Sequence, residues 1–145
     1  MSLPYRQWAA ELGRLKVEIP RDNLAKLATK VATSAVNSLV ERSPVGDPKL
    51  WNGPPPSGYV GGTFKNSWVV EIGGISPGTK RSPDASGRSS LAETARLAAL
   101  AANPYQVIYV HNSLPYAMRL ETGWSSQAPV GMVSVTLNSL SAGVL

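Results

Sequence analysis

The sequence predicts an α+β domain, and three observations carry that reading. Residues 21–42 repeat apolar side chains at helical spacing. Two separated stretches, 64–72 and 105–111, are rich in aromatic and β-branched residues, which suit a pleated surface. The 13 Gly and 12 Pro gather largely between these segments, so long loops join them. A chain of 145 residues fits one domain, 1–145, and is long enough to bury a core without staples.

Residues 3–19 read as a first helix, with Trp8, Leu12, Leu15 and Ile19 on one face and Gly13 as its weak point. Pro20 separates it from the strongest helix, 21–42. There Leu24, Ala28, Val31, Ala35 and Leu39 form the stripe, and Leu27, Val36 and Val40 widen it. Ser43-Pro44 stops the helix, because a residue before proline avoids the α region.

Residues 43–62 are half Gly or Pro and form a long loop. Trp51 and Tyr59 stand in it, either pinning the loop to the core or meeting a partner. Residues 64–72 read as a strand with Phe64, Asn66, Trp68, Val70 and Ile72 on one face. A second loop, 73–88, carries Lys80, Arg81 and Arg88 against Asp84. It is a solvated loop or a contact for an acidic surface or phosphate.

Residues 90–102 read as a helix opened by a Ser90/Glu93 capping box and closed by Asn103-Pro104. Residues 105–111 form the second strand. A short helix follows, with Pro115 in its first turn and Gly123 at its C-terminal cap. Tyr116 and Leu120 share its inner face, which turns Arg119 and Glu121 outward or sideways. The C-terminal stretch fits two patterns: Val133, Val135 and Leu137 alternate as in a strand, whereas Val130, Val133, Leu137 and Leu140 step as in a helix.

Composition narrows the function classes. Hydrophobic residues make up 43% and charged residues 16%, too apolar for a disordered chain and light in charge for a free monomer. The absence of Cys excludes thiolate metal sites, disulfides and cysteine nucleophiles. The net charge of +5 is spread along the chain, a weak signal for nucleic acid. No apolar run is long enough to cross a membrane, and no leader pattern opens the sequence, so a reducing cytoplasm is the expected place of synthesis.

His111 is the only histidine, which removes paired-histidine metal sites, and its expected place is partly buried or at a rim. Gly74-Ile75-Ser76-Pro77-Gly78 matches the G-x-S-x-G pattern in letters. The residue after that serine must donate its backbone N–H to an oxyanion, and Pro77 has none. The carboxylates show no local pairing. No catalytic residue, cofactor or metal is therefore expected. Trp124, beside Ser125-Ser126-Gln127 and beyond the Gly123 cap, belongs to no periodic core face. It is either a core-edge residue or an interface anchor.

Four blocks carry a family resemblance: Ser43-Pro44-Val45-Gly46, Gly62–Trp68, Ile108–Ala117, and Leu120-Glu121-Thr122-Gly123 followed by Ser125–Val133. In order and spacing they resemble the neck or tail-completion proteins of long-tailed bacteriophages, also described as minor tail or head–tail joining proteins. The likeness spans roughly residues 20–140. The loop before the strand is expanded here by WNGPPPSGYVGG, and the chain stops at Leu145 where many such proteins continue their helix.

The resemblance implies an α+β fold in which a long N-terminal helix packs on a small antiparallel β-sheet, with further short helices and long Gly/Pro-rich loops. It favours the helical reading of the C-terminal stretch, beginning at Pro129. It implies a virion component, in the host cytoplasm during assembly, forming a ring of six-fold type with copies of itself. The implied neighbours are the tail tube or tail terminator and the head connector, with genomic DNA passing through without sequence-specific binding. A tail-terminator or head-closure ring protein, and then a non-catalytic DNA-binding module, are the alternatives. The candidate interface residues are Trp51, Tyr59, Lys80, Arg81, Arg88, Arg119, Glu121, Trp124 and Gln127.

Overall fold

The computed structural model describes residues 20–143 together with Gln7. The expected helix at 3–19 otherwise lies outside the described residues. The fold is α+β: helices account for most of the regular structure, and two strands form one antiparallel sheet.

Helix α1 is Arg21–Arg42, as the sequence predicts, with Pro20 at its N-cap. Its buried face is Ala25, Ala32, Val36, Leu39 and Val40, rotated from the expected stripe, and Leu27 is exposed. The alanines on this face leave room for close neighbours. The principal ones are the helical segment Glu93–Ala101 and the C-terminal helix, with strand β2 beyond them. Ser43 ends α1 by donating its hydroxyl to the Leu39 carbonyl, 2.6 Å, while the same oxygen accepts the Trp68 indole N–H at 2.8 Å.

Strand β1 is only Val69–Ile72. The expected strand from residue 64 fails because Asn66 and Ser67 spend their side chains locally. Ser67 Oγ donates to the Thr63 carbonyl, and the Asn66 N–H closes a turn on Gly62 O. Such side chain–backbone bonds compete with a ladder. Strand β2 is Ile108–His111, shorter than predicted, and pairs with β1 in the register Val69↔His111, Val70↔Val110, Glu71↔Tyr109 and Ile72↔Ile108.

Helix α2, Arg88–Ala92, runs into the 3-10 segment Glu93–Ala101. The capping box is not there. Left-handed Gly87 occupies the N-cap without a side-chain bond, and Ser90 and Glu93 turn instead toward β1. Helix α3 is Ala117–Glu121 and helix α4 is Val133–Gly143, so the C-terminal stretch is helical. It starts at Val133, four residues beyond the expected start at Pro129. The core joins Val36, Leu39 and Val40 of α1 to Phe64, Trp68 and Val70, to Leu97 and Leu100, and to Leu114, Ala128 and Met132.

Candidate interface site

The segment from α3 to α4 is organised by one carboxylate. Glu121 accepts hydrogen bonds from the backbone N–H groups of Met132 (2.8 Å), Val133 (2.9 Å) and Ser134 (3.0 Å), and from the Ser134 hydroxyl (3.1 Å). These are donors that the first turn of a helix leaves unpaired, and an anion there also meets the positive end of the helix dipole. Burial raises the Glu121 pKa, but the N–H groups of Val133, Met132 and Ser134 outweigh it, and the net shift is downward. Glu121 therefore faces inward as a helix cap, contrary to its expected outward role.

Two glycines make the clasp possible. Gly123 has φ +88°, and a Cβ there would lie 2.3 Å from the Pro129 carbonyl oxygen. Gly131 has φ +80°, and its Cβ would meet the Glu121 carbonyl and carboxylate. Only glycine accepts both the left-handed backbone and the close approach.

Gln127 ties this segment to the first loop. Its amide donates to Val45 O at 2.7 Å and its carbonyl accepts Val45 N–H at 3.1 Å, across 82 positions of sequence. Beside that joint is a shallow hollow lined by Val45, Gly46, Asp47, Pro48, Leu50 and Gln127. A second shallow cleft is formed by Arg119, Thr122, Gly123 and Trp124. Trp124 is 72% exposed, with the Arg119 guanidinium 5.3 Å from its ring centroid. That distance is within cation–π range. The core-edge alternative for Trp124 does not hold. Trp51 and Tyr59 stack edge-on at 4.7 Å and pin the loop to itself, with the Tyr59 hydroxyl over Gly46.

The basic loop divides. Arg81 is internal: its side chain is 20% exposed and ion-pairs with Glu93. One guanidinium nitrogen also donates to Trp68 O (2.8 Å) and Asn66 O (3.2 Å). It holds the sheet rather than offering a contact. Arg88 pairs with Asp84 at 2.8 Å on the surface, and that pairing lowers the Asp84 pKa. Lys80 is exposed.

His111 is partly buried, as expected. Its Nε2 lies 2.8 Å from Glu71 Oε2 and its Nδ1 lies 3.1 Å from Ser113 Oγ. Glu71 also accepts the Ser76 N–H at 2.7 Å, and this bond, followed by the one to His111, lowers its pKa. The arrangement binds the second loop to the outer face of the sheet. Leu114 N–H, which follows Ser113, is already bonded to Asn112 Oδ1.

Sequence reasoning missed the inward roles of Asn66, Ser90, Glu93 and Asn112, each of which bonds main chain far away in sequence. Asn66 and Asn112 carry no local signal of this role, and the capping-box spacing of Ser90 and Glu93 points to other partners. Among the described residues no His/Cys/Asp/Glu group is arranged to hold a metal ion. No family model, curated protein or solved structure matches this chain.

Proposed function

We propose that the chain is a non-catalytic structural protein of a long-tailed bacteriophage, completing the tail and joining it to the head connector. The blocks that carry the resemblance support this reading, because they lock onto one another. Ser43 meets Trp68, Val45 meets Gln127, Phe64 O accepts the Asn112 amide, and Glu121 caps the helix that follows the Pro129–Met132 block. The observation that carries it furthest is what this framework leaves out. Trp124, with Arg119 on its ring, stands exposed between the Glu121 cap and the Gln127–Val45 joint. Trp and Arg are the side chains most enriched among binding hot spots, and a rigid mount lowers the entropy lost on docking.

In this reading copies of the chain form a ring of six-fold type between the tail tube or terminator and the connector. Trp124, Arg119 and the Trp51–Tyr59 loop face a neighbouring protein, and DNA passes without sequence-specific contacts. Trp124→Ala tests it. The variant should keep its fold to within about 0.5 kcal/mol, the usual range for an exposed site. It should fail to enter purified tails or to join them to filled heads. Infectious particles at normal yield would refute the assignment, and a low-resolution map of the particle would separate it from a terminator or head-closure position.

A further inference from the structure

The two edges of the sheet are treated differently. In an antiparallel pair, residues alternate between facing the partner strand and facing away. The Gly73 N–H bonds Val107 O across the pair, so Glu71 and Tyr109, and Val69 and His111, face one another, while Trp68 and Val70 face outward from β1. Three of these outward groups are met by side chains. Trp68 N–H donates to Ser90 Oγ (2.9 Å), Val70 N–H donates to Glu93 Oε2 (3.1 Å), and Arg81 donates to Trp68 O. Among the described residues the Val70 carbonyl and both main-chain groups of Ile72 have no partner, so that edge is plugged at its Trp68–Val70 end.

On β2 the same alternation turns the N–H and C=O groups of Ile108 and Val110 outward. Among the described residues, none of these groups has a hydrogen-bond partner. Charge does not protect this edge. Between Arg96 and Arg119 the sequence holds no Asp, Glu, Lys or Arg, and Val107 beside the strand is 58% exposed. Natural edges are ordinarily blocked by charge, proline, a bulge or their own shortness, and the four residues of β2 supply the last of these.

We propose that the outer edge of β2 binds β2 of a second copy, antiparallel about Tyr109, to give a continuous four-stranded sheet. The strand is complementary to itself in that register. Ile108 and Val110 of one copy exchange main-chain hydrogen bonds with Val110 and Ile108 of the other, extending the apolar inner face on which both are already packed. Tyr109 meets its own equivalent on the opposite face, at the close spacing of a non-hydrogen-bonded pair. On β1, Ser90, Glu93 and Arg81 occupy the Trp68 and Val70 groups that a further strand would need, which opposes head-to-tail growth of the sheet, and a contact about a two-fold axis closes at two. This inference does not rest on the phage reading. A pair about a two-fold axis has no head side and tail side, so it is a form of the free protein that opens before a subunit enters a polar ring.

Amide exchange at rising concentration of the intact chain, followed by NMR alongside sedimentation, tests it. The amides of Ile108 and Val110 should gain protection as dimer replaces monomer. Those of Tyr109 and His111, already bonded to β1, should not change. Tyr109→Lys and Tyr109→Glu should each remain monomeric at concentrations where the parent pairs, and an equimolar mixture should form a heterodimer. Val107→Lys, at an exposed position, provides a second variant should the Tyr109 changes disturb folding, and it too should remain monomeric. Exchange at Ile108 and Val110 that is independent of concentration, whether fast or already protected in the monomer, would overturn the proposal. So would a Lys/Glu mixture of folded variants that stays monomeric. Neither result bears on whether the chain enters tails.

Discussion

Replacing Glu121 by alanine should loosen helix α4 from the rest of the fold. The carboxylate accepts four hydrogen bonds, three of them from main-chain N–H groups at the start of that helix. A hydrogen bond to a charged group contributes roughly 1.5–3 kcal/mol, and an N-terminal anion adds roughly 0.3–1 kcal/mol through the helix dipole. These terms are not additive, and the N–H groups of exposed Val133 and Ser134 recover water once the carboxylate is gone. The cost of Glu121→Ala is therefore about 2 kcal/mol, equivalent to a fall in Tm of roughly 5–10 °C for a domain of this size. Glu121→Gln keeps an acceptor but no charge and should lose about half as much.

The same contact makes a pH prediction. The folded pKa of Glu121 lies below its ordinary value of 4.5, so its contribution is complete above that value and disappears as pH falls through the folded pKa. Thermal unfolding followed by circular dichroism, for the parent and for Glu121→Ala, should show a gap in Tm at pH 7 that closes in acid. Equal Tm values at pH 7, or a gap undiminished at the acid end, would refute the assignment of the carboxylate as the helix cap.

Arg81→Met should destabilise the fold by roughly 2–4 kcal/mol in denaturant titration, because it strips partners from buried Glu93 and from the Trp68 carbonyl. Arg96, 2.9 Å from Glu93, keeps the loss at the lower part of that range, and a double variant with Glu93→Gln should lose less than the sum of the two changes. Gly123→Val should lower stability by about 2 kcal/mol or more, since it combines a left-handed backbone with a Cβ 2.3 Å from Pro129 O. An unchanged midpoint in chemical denaturation would show that this turn tolerates a side chain.

Much of the fold is legible in the sequence because periodicity reports it directly. Helix α1 keeps its predicted bounds, since Pro20 and Ser43-Pro44 act locally on the backbone. Gly123 is likewise recognisable from the short helix before it. The strands are predicted too long because residues 64–67 carry strand-like apolar spacing while Asn66 and Ser67 fold the chain into a turn through their side chains. Ser90 and Glu93 have the spacing of a capping box, but their partners are the N–H groups of Trp68 and Val70, which no local rule connects to them. Arg81 and Glu121 show the same limit. A charge in a loop or at a helix end reads as solvent-facing until the fold brings main-chain partners to it. Trp124 was legible in the opposite sense, because no periodic face claimed it and none covers it.

The separation of the two strands has a consequence for how the chain reaches its fold. Glu71 and His111 lie 40 positions apart, so the sheet cannot close as a hairpin and must wait for the loop, α2 and the 3-10 segment between them. Gln127 and Val45 close an even longer circuit. Contacts this distant in sequence carry their loop entropy before any reward, which slows folding. Helix α1 needs no such closure and can form while the rest of the chain is still being synthesised. The Glu121 clasp spans only 11–13 positions and closes early, so the sheet and the Gln127–Val45 joint are the late, entropy-limited steps. A subunit stopped before those late steps would hold the uncharged β2 with both of its edges open to a second chain.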